Sequence, residues 1–156
     1  MKKKKGIIIL TASYGTFVLF TLLVRVPRVQ SNSRLYWDYI SRNIQLIPMK
    51  SILDMLNLAV SDSFSLNARV LAGINVIGNI GIMVPCGILF PLAIKQLRKM
   101  KVFLLCVVIT ITLIEIVQLF ATVGSFDIDD IVLNSSGCII GYFTYRKITN
   151  RLEKRP

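Results

Sequence analysis

The sequence predicts an all-α, polytopic membrane protein of about four transmembrane helices, with an amphipathic helix in an outer loop. Three observations carry this expectation. Hydrophobic residues make up 54% of the chain and charged residues only 17%, and the mean hydropathy of +0.65 is too apolar for a soluble domain of 156 residues. The apolar residues gather into four runs that approach the roughly 20 residues a helix needs to cross about 30 Å of hydrocarbon. Lys and Arg fall between these runs, as topology signals do. Residues 1–156 read as one integral membrane domain, without repeats, low-complexity tracts or a soluble second domain.

The first span is expected at 6–24. Lys2 to Lys5 precede it, as in a signal peptide, but the run is long and no small-x-small cleavage site follows, which favours an uncleaved anchor. An outer loop then covers 25–69. Within it, "LYWDYI" (Leu35 to Ile40) reads as an aromatic anchor at the lipid–water boundary. The stretch "IPMKSILDMLNLAV" sets Ile52, Leu53, Met55, Leu56 and Ala59 beside Lys50, Asp54 and Asn57, a pattern for a helix lying on the outer leaflet. A fifth span there is disfavoured, because it would bring Lys50 and Asp54 into hydrocarbon. Further spans are expected at 70–94, 102–122 and 128–145.

If all four cross, Lys2 to Lys5, then Lys95, Arg98, Lys99 and Lys101, then Arg146, Lys147, Arg151, Lys154 and Arg155 share one side. Both termini are then expected to be cytoplasmic. The other side holds Arg25, Arg28, Arg34, Arg42, Lys50 and Arg69 among Asp38, Asp54 and Asp62, and a turn near Gly124 without a basic residue.

The net charge of +11 does not point to nucleic acid, since the cations line no single patch; contacts to anionic lipid are the expected use. The chain contains no His, which removes imidazole metal ligands and imidazole-based triads. Cys86, Cys106 and Cys138 are odd in number and far apart, without metal-ligand spacing, and read as small buried hydrophobes. No cofactor is implied.

The informative residues are the polar ones inside the apolar runs. Asn75 and Asn79 are four apart, Glu115 and Gln118 three apart, and Asp130 and Asn134 four apart, so each pair shares one helix face. At about 1.5 Å per residue, Glu115 lies roughly 20 Å beyond the cytoplasmic start of its helix, in the outer half of the bilayer. Asn79 and Asn134, counted inward from the outer ends of their helices, reach roughly 10 to 15 Å. The three polar faces are therefore expected to meet in one outer cluster opening toward Asp127, Asp129 and the long loop. Gly78, Gly81 and the Gly137-x-x-x-Gly141 pair would allow close packing, and Pro85 with Gly87 would kink the second span.

The bland reading of Asn75, Asn79, Gln118 and Asn134 is interhelical glue. Glu115 is harder to treat so, because a carboxylate at that depth must be neutralised or met by donors. For Asp127 and Asp130, an N-cap and a first-turn acid favoured by the helix dipole are as good a reading as a cation or donor-rich ligand site. A metal held by Asp127, Asp129 and Asp130 is the weaker reading.

Three blocks give the chain a resemblance to the VanZ-like family of small bacterial membrane proteins: "NIQLIPMKSI" (Asn43 to Ile52), "NVIGNIGIMVPCGILFPL" (Asn75 to Leu92) and "IEIVQLFATVGSFDIDDIVLNSSGCIIGY" (Ile114 to Tyr142). The last is the most specific, with Glu, Gln, two Asp, Asn and Gly at fixed spacing. Carried over by position, the resemblance points to Asn43, Pro48, Asn79, Pro85, Glu115, Gln118, Asp127, Asp130, Asn134 and Gly137. Met49 departs from the Phe of many members, and Gly124 from an Arg before the acidic run. The phenotype it implies is low-level teicoplanin resistance, a role and not a mechanism.

The leading expectation is thus an outward polar site made of Asn79, Glu115, Gln118, Asp127, Asp130 and Asn134, engaging membrane lipid, a cell-wall precursor or a glycopeptide. Two alternatives stand: an intramembrane enzyme on a lipid or peptidoglycan precursor, with Glu115 as general base and an Asp127 to Asp130 site holding a metal, and a small proton-linked transporter. The missing His and absent nucleophile motif rank the enzyme lower.

Overall fold

The computed structural model describes residues 2–23, 33–61 and 63–153. Arg25, Arg28, Asp62, Lys154 and Arg155, and the last residue of the expected first span, Val24, lie outside the described residues. The fold is all-α and of membrane type. Helix α1 is Lys2–Leu23, α2 Ser33–Arg42, α3 Lys50–Val60, α4 Leu66–Ala93, α5 Met100–Phe120 and α6 Ile128–Glu153. A single 3-10 turn, Lys95–Arg98, joins α4 to α5. Two short strands, β1 (Ile44–Gln45) and β2 (Phe126–Asp127), pair in parallel, Ile44 opposite Phe126 and Gln45 opposite Asp127.

Three of the helices, α1, α4 and α5, are long and apolar enough to cross a membrane. At about 1.5 Å per residue, α6 has ample length as well. Its composition is what differs from the expectation of four apolar spans, because Asp129, Asp130, Asn134, Ser135 and Ser136 stand in its first half. It also continues past the expected end at 145 through Arg146 and Lys147, a stretch with no Pro or Gly to stop it. The amphipathic helix expected after Pro48 is present as α3. The "LYWDYI" stretch is itself helical, forming α2: Trp37 is exposed, but Tyr36 and Tyr39 turn inward and donate to the carbonyls of Phe120 (3.0 Å) and Gly124 (2.6 Å).

The bundle is apolar outside. Ile9, Phe20, Leu105, Leu113 and Phe143 are all exposed on the outer faces, a belt far beyond what a water-facing surface carries. The core lies where α1, α4, α5 and α6 meet, around Val18, Met83, Cys86, Phe103, Ile114, Cys138 and Tyr142. Phe103 and Tyr142 stack with centroids 4.8 Å apart, and the Tyr142 hydroxyl donates to the Arg98 carbonyl at 2.6 Å, closing the end of the bundle that carries the basic residues. Cys86 and Cys138 are buried free thiols, as expected; Cys106 is instead exposed on the outer face of α5.

Helices α4 and α6 approach backbone to backbone. A β-carbon on Gly137 would fall on the Ile80 carbonyl oxygen, one on Gly141 on that of Val84, and one on Gly87 on that of Cys138. The small-residue expectation therefore holds for Gly137 and Gly141 but not for Gly78 and Gly81, beside which there is open space; their partner on α4 is Gly87. The α4 helix runs through Pro85 and Pro91. By helical counting these prolines leave the Gly81 and Gly87 carbonyls without their usual donors, and α1 serves that region: the Tyr14 hydroxyl donates to Ile82 (2.8 Å) and Thr11 to Leu89 (3.3 Å).

Gly137→Leu should separate α4 from α6 and destabilise the bundle by at least the roughly 1–3 kcal/mol of a core overpacking, whereas Gly78→Leu should change little. Thermal unfolding of the two purified variants checks this contrast.

Candidate functional site: a polar chamber closed by a clamped loop

The site is built on a helix start that lacks its own cap. Ile47, Pro48, Met49 and Lys50 form a turn closed by Lys50 N–H donating to Ile47 O at 3.4 Å, and Met49 takes the left-handed conformation (φ 65°, ψ −3°). This has the form of a type II turn, for which Pro suits the second position and Gly, rather than Met, the third. Met49 also occupies the N-cap position of α3 and offers no side-chain acceptor. Asp129 supplies it from 80 residues away: its Oδ1 accepts from Met49 N–H at 2.6 Å and its Oδ2 from Ile52 N–H at 3.1 Å. Those are the two donors that a capping box satisfies locally with two side chains; here one carboxylate, only 1% exposed, satisfies both.

Asp127 is the N-cap of α6, its Oδ1 accepting from Asp129 N–H at 2.8 Å. The N-cap reading of Asp127 is thus the one the geometry shows. Asn43 completes the clamp: its side chain donates to Tyr39 O (2.8 Å) at the end of α2, and its carbonyl accepts from Phe126 N–H (2.9 Å). Opposite, α5 ends in a Schellman arrangement, with Val123 N–H on Gln118 O (2.9 Å), Thr122 N–H on Leu119 O (2.9 Å) and Thr122 at φ 55° where Gly is usual. Gly124 packs its backbone against the Gln118 side chain.

Behind this clamp the three polar faces meet as the helical spacing predicts. They enclose a cavity of about 190 Å³ to which α4 contributes Asn75 and Asn79, α5 Glu115 and Gln118, and α6 Asp130 and Asn134. The sequence reading missed two further wall residues, Leu22 at the end of α1 and Met55 of α3. An i, i+3 apolar pattern in α3 marks a buried face but not what that face covers.

Asn79 bridges α4 to α6, its Nδ2 donating to Asp130 Oδ1 at 2.8 Å. Gln118 donates to the Leu22 carbonyl at 2.8 Å, one of the last carbonyls of α1, which have no partner within that helix. Glu115, Gln118 and Asn134 are each at most 4% exposed. Within the described residues, Asn134 Oδ1 and the neighbouring Ser135 hydroxyl have no hydrogen-bond partner, a state that costs about 1–3 kcal/mol per buried group. The wall carries two carboxylates, Glu115 and Asp130, and no Lys or Arg.

Asp127 and Asp129 therefore do not form the open side toward which the polar cluster was expected to face. Both are buried and bound to backbone N–H groups, and neither lines the chamber. Nor do they converge with Asp130: among the described residues no group of three or more His, Cys, Asp or Glu is placed to hold a metal ion. The reason is competition, because the first turns of α3 and α6 already use these oxygens.

A family model described as VanZ/LLP1 matches residues 8–150. The chain belongs to the VanZ/LLP1 family. Comparison with curated proteins and with solved structures returned no match. The positions that carry the VanZ-like resemblance sort by place in the fold. Asn43, Pro48 and Asp127 lie in the loop clamp, while Asn79, Glu115, Gln118, Asp130 and Asn134 surround the chamber. Pro85 lies within α4, and Gly137 at its contact with α6.

Asp129→Ala should strip both acceptors from the start of α3. The Met49 and Ile52 amides should then exchange with deuterium roughly tenfold or more faster, as loss of a charge-assisted hydrogen bond implies, while exchange in the middle of α5 stays unchanged. Mass-resolved hydrogen exchange reads this directly.

Proposed function

We propose that the chamber opens to the outer face of a bacterial plasma membrane and binds the donor-rich head of a cell-envelope lipid or a membrane-anchored glycopeptide, so that occupancy lowers the access of glycopeptide drugs such as teicoplanin. The observation that carries this reading is the convergence of Glu115 and Asp130 with Asn79, Gln118 and Asn134 in one cavity without a basic residue in its wall. Its two carboxylates and the Asn134 carbonyl oxygen are acceptors, so the wall favours a ligand that carries donors. Glu115 and Asp130 accept hydrogen bonds from the ligand, Asn79 holds Asp130 in place, and Asn134 offers a carbonyl oxygen. Helix α3 serves as the lid, with Met55 as its inner face.

The outward orientation is supported by charge. Lys95, Arg98, Lys99, Lys101, Arg146 and Lys147 are exposed at the end of the bundle away from the chamber, which the positive-inside rule makes cytoplasmic. At the chamber end Arg42 pairs with Asp38 (2.8 Å) and Lys50 with Asp54 (3.2 Å), which offsets much of the charge there.

Glu115→Gln and Asp130→Asn should each abolish protection from teicoplanin in an expressing strain, because removing a charged acceptor weakens binding by about 1.5–3 kcal/mol, roughly 10- to 100-fold. Susceptibility is measured alongside the amount of protein in the membrane. Full protection by both variants at normal levels contradicts the proposal.

A further inference from the structure

A second, apolar cavity of about 270 Å³ lies between α1, α4 and α5. Its wall combines core side chains, among them Val18, Met83, Phe103 and Ile111, with exposed ones, and carries no charged residue. Its position relative to the polar chamber is systematic. Val18 stands four residues from Leu22, Met83 four from Asn79, and Ile111 four from Glu115, the second of each pair lining the chamber. Cys138 repeats the relation to Asn134 on α6. Residues four apart share one helix face a single turn removed, so Val18, Met83, Ile111 and Cys138 set the upper end of the apolar cavity one turn below the polar chamber on all four helices, and Leu97 and Phe103 carry it on toward the basic end of the bundle.

We infer that the two cavities form one site for an amphiphile, whose donor-bearing head occupies the polar chamber and whose single alkyl chain runs down into the apolar cavity between α1 and α5. This rests on the reading of the chamber given above and adds the class of ligand. A head alone would leave the lower cavity without a purpose, and a chain alone would not need Glu115 and Asp130 above it. The chain enters sideways from the bilayer, because Leu19, Cys106 and Thr110, which also line the cavity, are exposed on the lipid-facing surface. Gly15 keeps the slot wide: a β-carbon there would meet only the Phe90 ring edge, at 3.6 Å, so a larger side chain grows into free space instead of into backbone.

The test uses the full chain in phosphatidylethanolamine–phosphatidylglycerol vesicles and two probes, dodecyl glucoside and dodecylamine, each carrying a diazirine at the chain end. The two heads present hydroxyl and ammonium donors on the same chain, and the stronger labelling identifies which donor the chamber takes. After irradiation, adducts should map to the α1 and α5 walls of the apolar cavity and be competed by the unlabelled amphiphile. Labelling should fall roughly tenfold in Gly15→Leu, the effect of losing about two buried methylenes, and comparably in Glu115→Gln. Thr110→Leu serves as a second filler, and thermal unfolding verifies that each variant is folded. Labelling that Gly15→Leu and Thr110→Leu leave unchanged but Glu115→Gln removes overturns the chain slot and keeps the chamber as a head site. Cavity labelling that neither Glu115→Gln nor Asp130→Asn alters overturns the joined site together with the chamber reading. Unsaturable adducts on outward residues such as Phe17 and Leu105 overturn it as well.

Discussion

Where α4 and α6 cross, the Gly137 and Gly141 backbones rest against the Ile80 and Val84 carbonyls with no side chain between them, and this contact decides how a helix bearing Asp129, Asp130 and Asn134 can sit among apolar neighbours. Polar groups inside a membrane protein are tolerable only where other protein groups meet them. The close approach brings Asp130 within 2.8 Å of the Asn79 amide and sets Asn134 beside the face of α5 that carries Glu115 and Gln118. A wider separation would leave these groups facing lipid. The polar chamber is thus a consequence of glycine packing one to two turns away.

The second element of the design is the division of labour in the acidic run. Asp127 caps its own helix, Asp129 caps a helix 80 residues earlier in the chain, and Asp130 faces the chamber. Successive helical residues point about 100° apart, so three carboxylates packed into four positions serve three different directions. Because Asp129 and the β1–β2 pairing tie the loop to the start of α6, α3 is held over the chamber by the same turn that presents Asp130.

Much of this was readable in the sequence, and the parts that were not share a cause. The i, i+3 and i, i+4 polar pairs together with rise per residue placed Asn79, Glu115, Gln118, Asp130 and Asn134 at one level, because helix phase and depth are local arithmetic. The N-cap role of Asp127 was equally local. Asp129 was misread as a rim residue because its partners, Met49 and Ile52, are distant in sequence and become neighbours only when the loop folds back. Gly78 and Gly81 matched a packing motif as well as Gly87 did; only the crossing point of the two helices distinguishes them. The helical nature of α2 was hidden by aromatic residues that suit a membrane interface, yet two of its tyrosines are used on the α5–α6 turn.

The central claim, a polar chamber open to the outer surface, is tested most directly at Asn75, which is exposed and also lines the cavity. With Cys86, Cys106 and Cys138 replaced by alanine, Asn75→Cys should react in intact cells with a membrane-impermeant maleimide, and Lys99→Cys, at the opposite end, only in inverted vesicles. Labelling of Asn75→Cys only in inverted vesicles, or in neither preparation, would contradict the account.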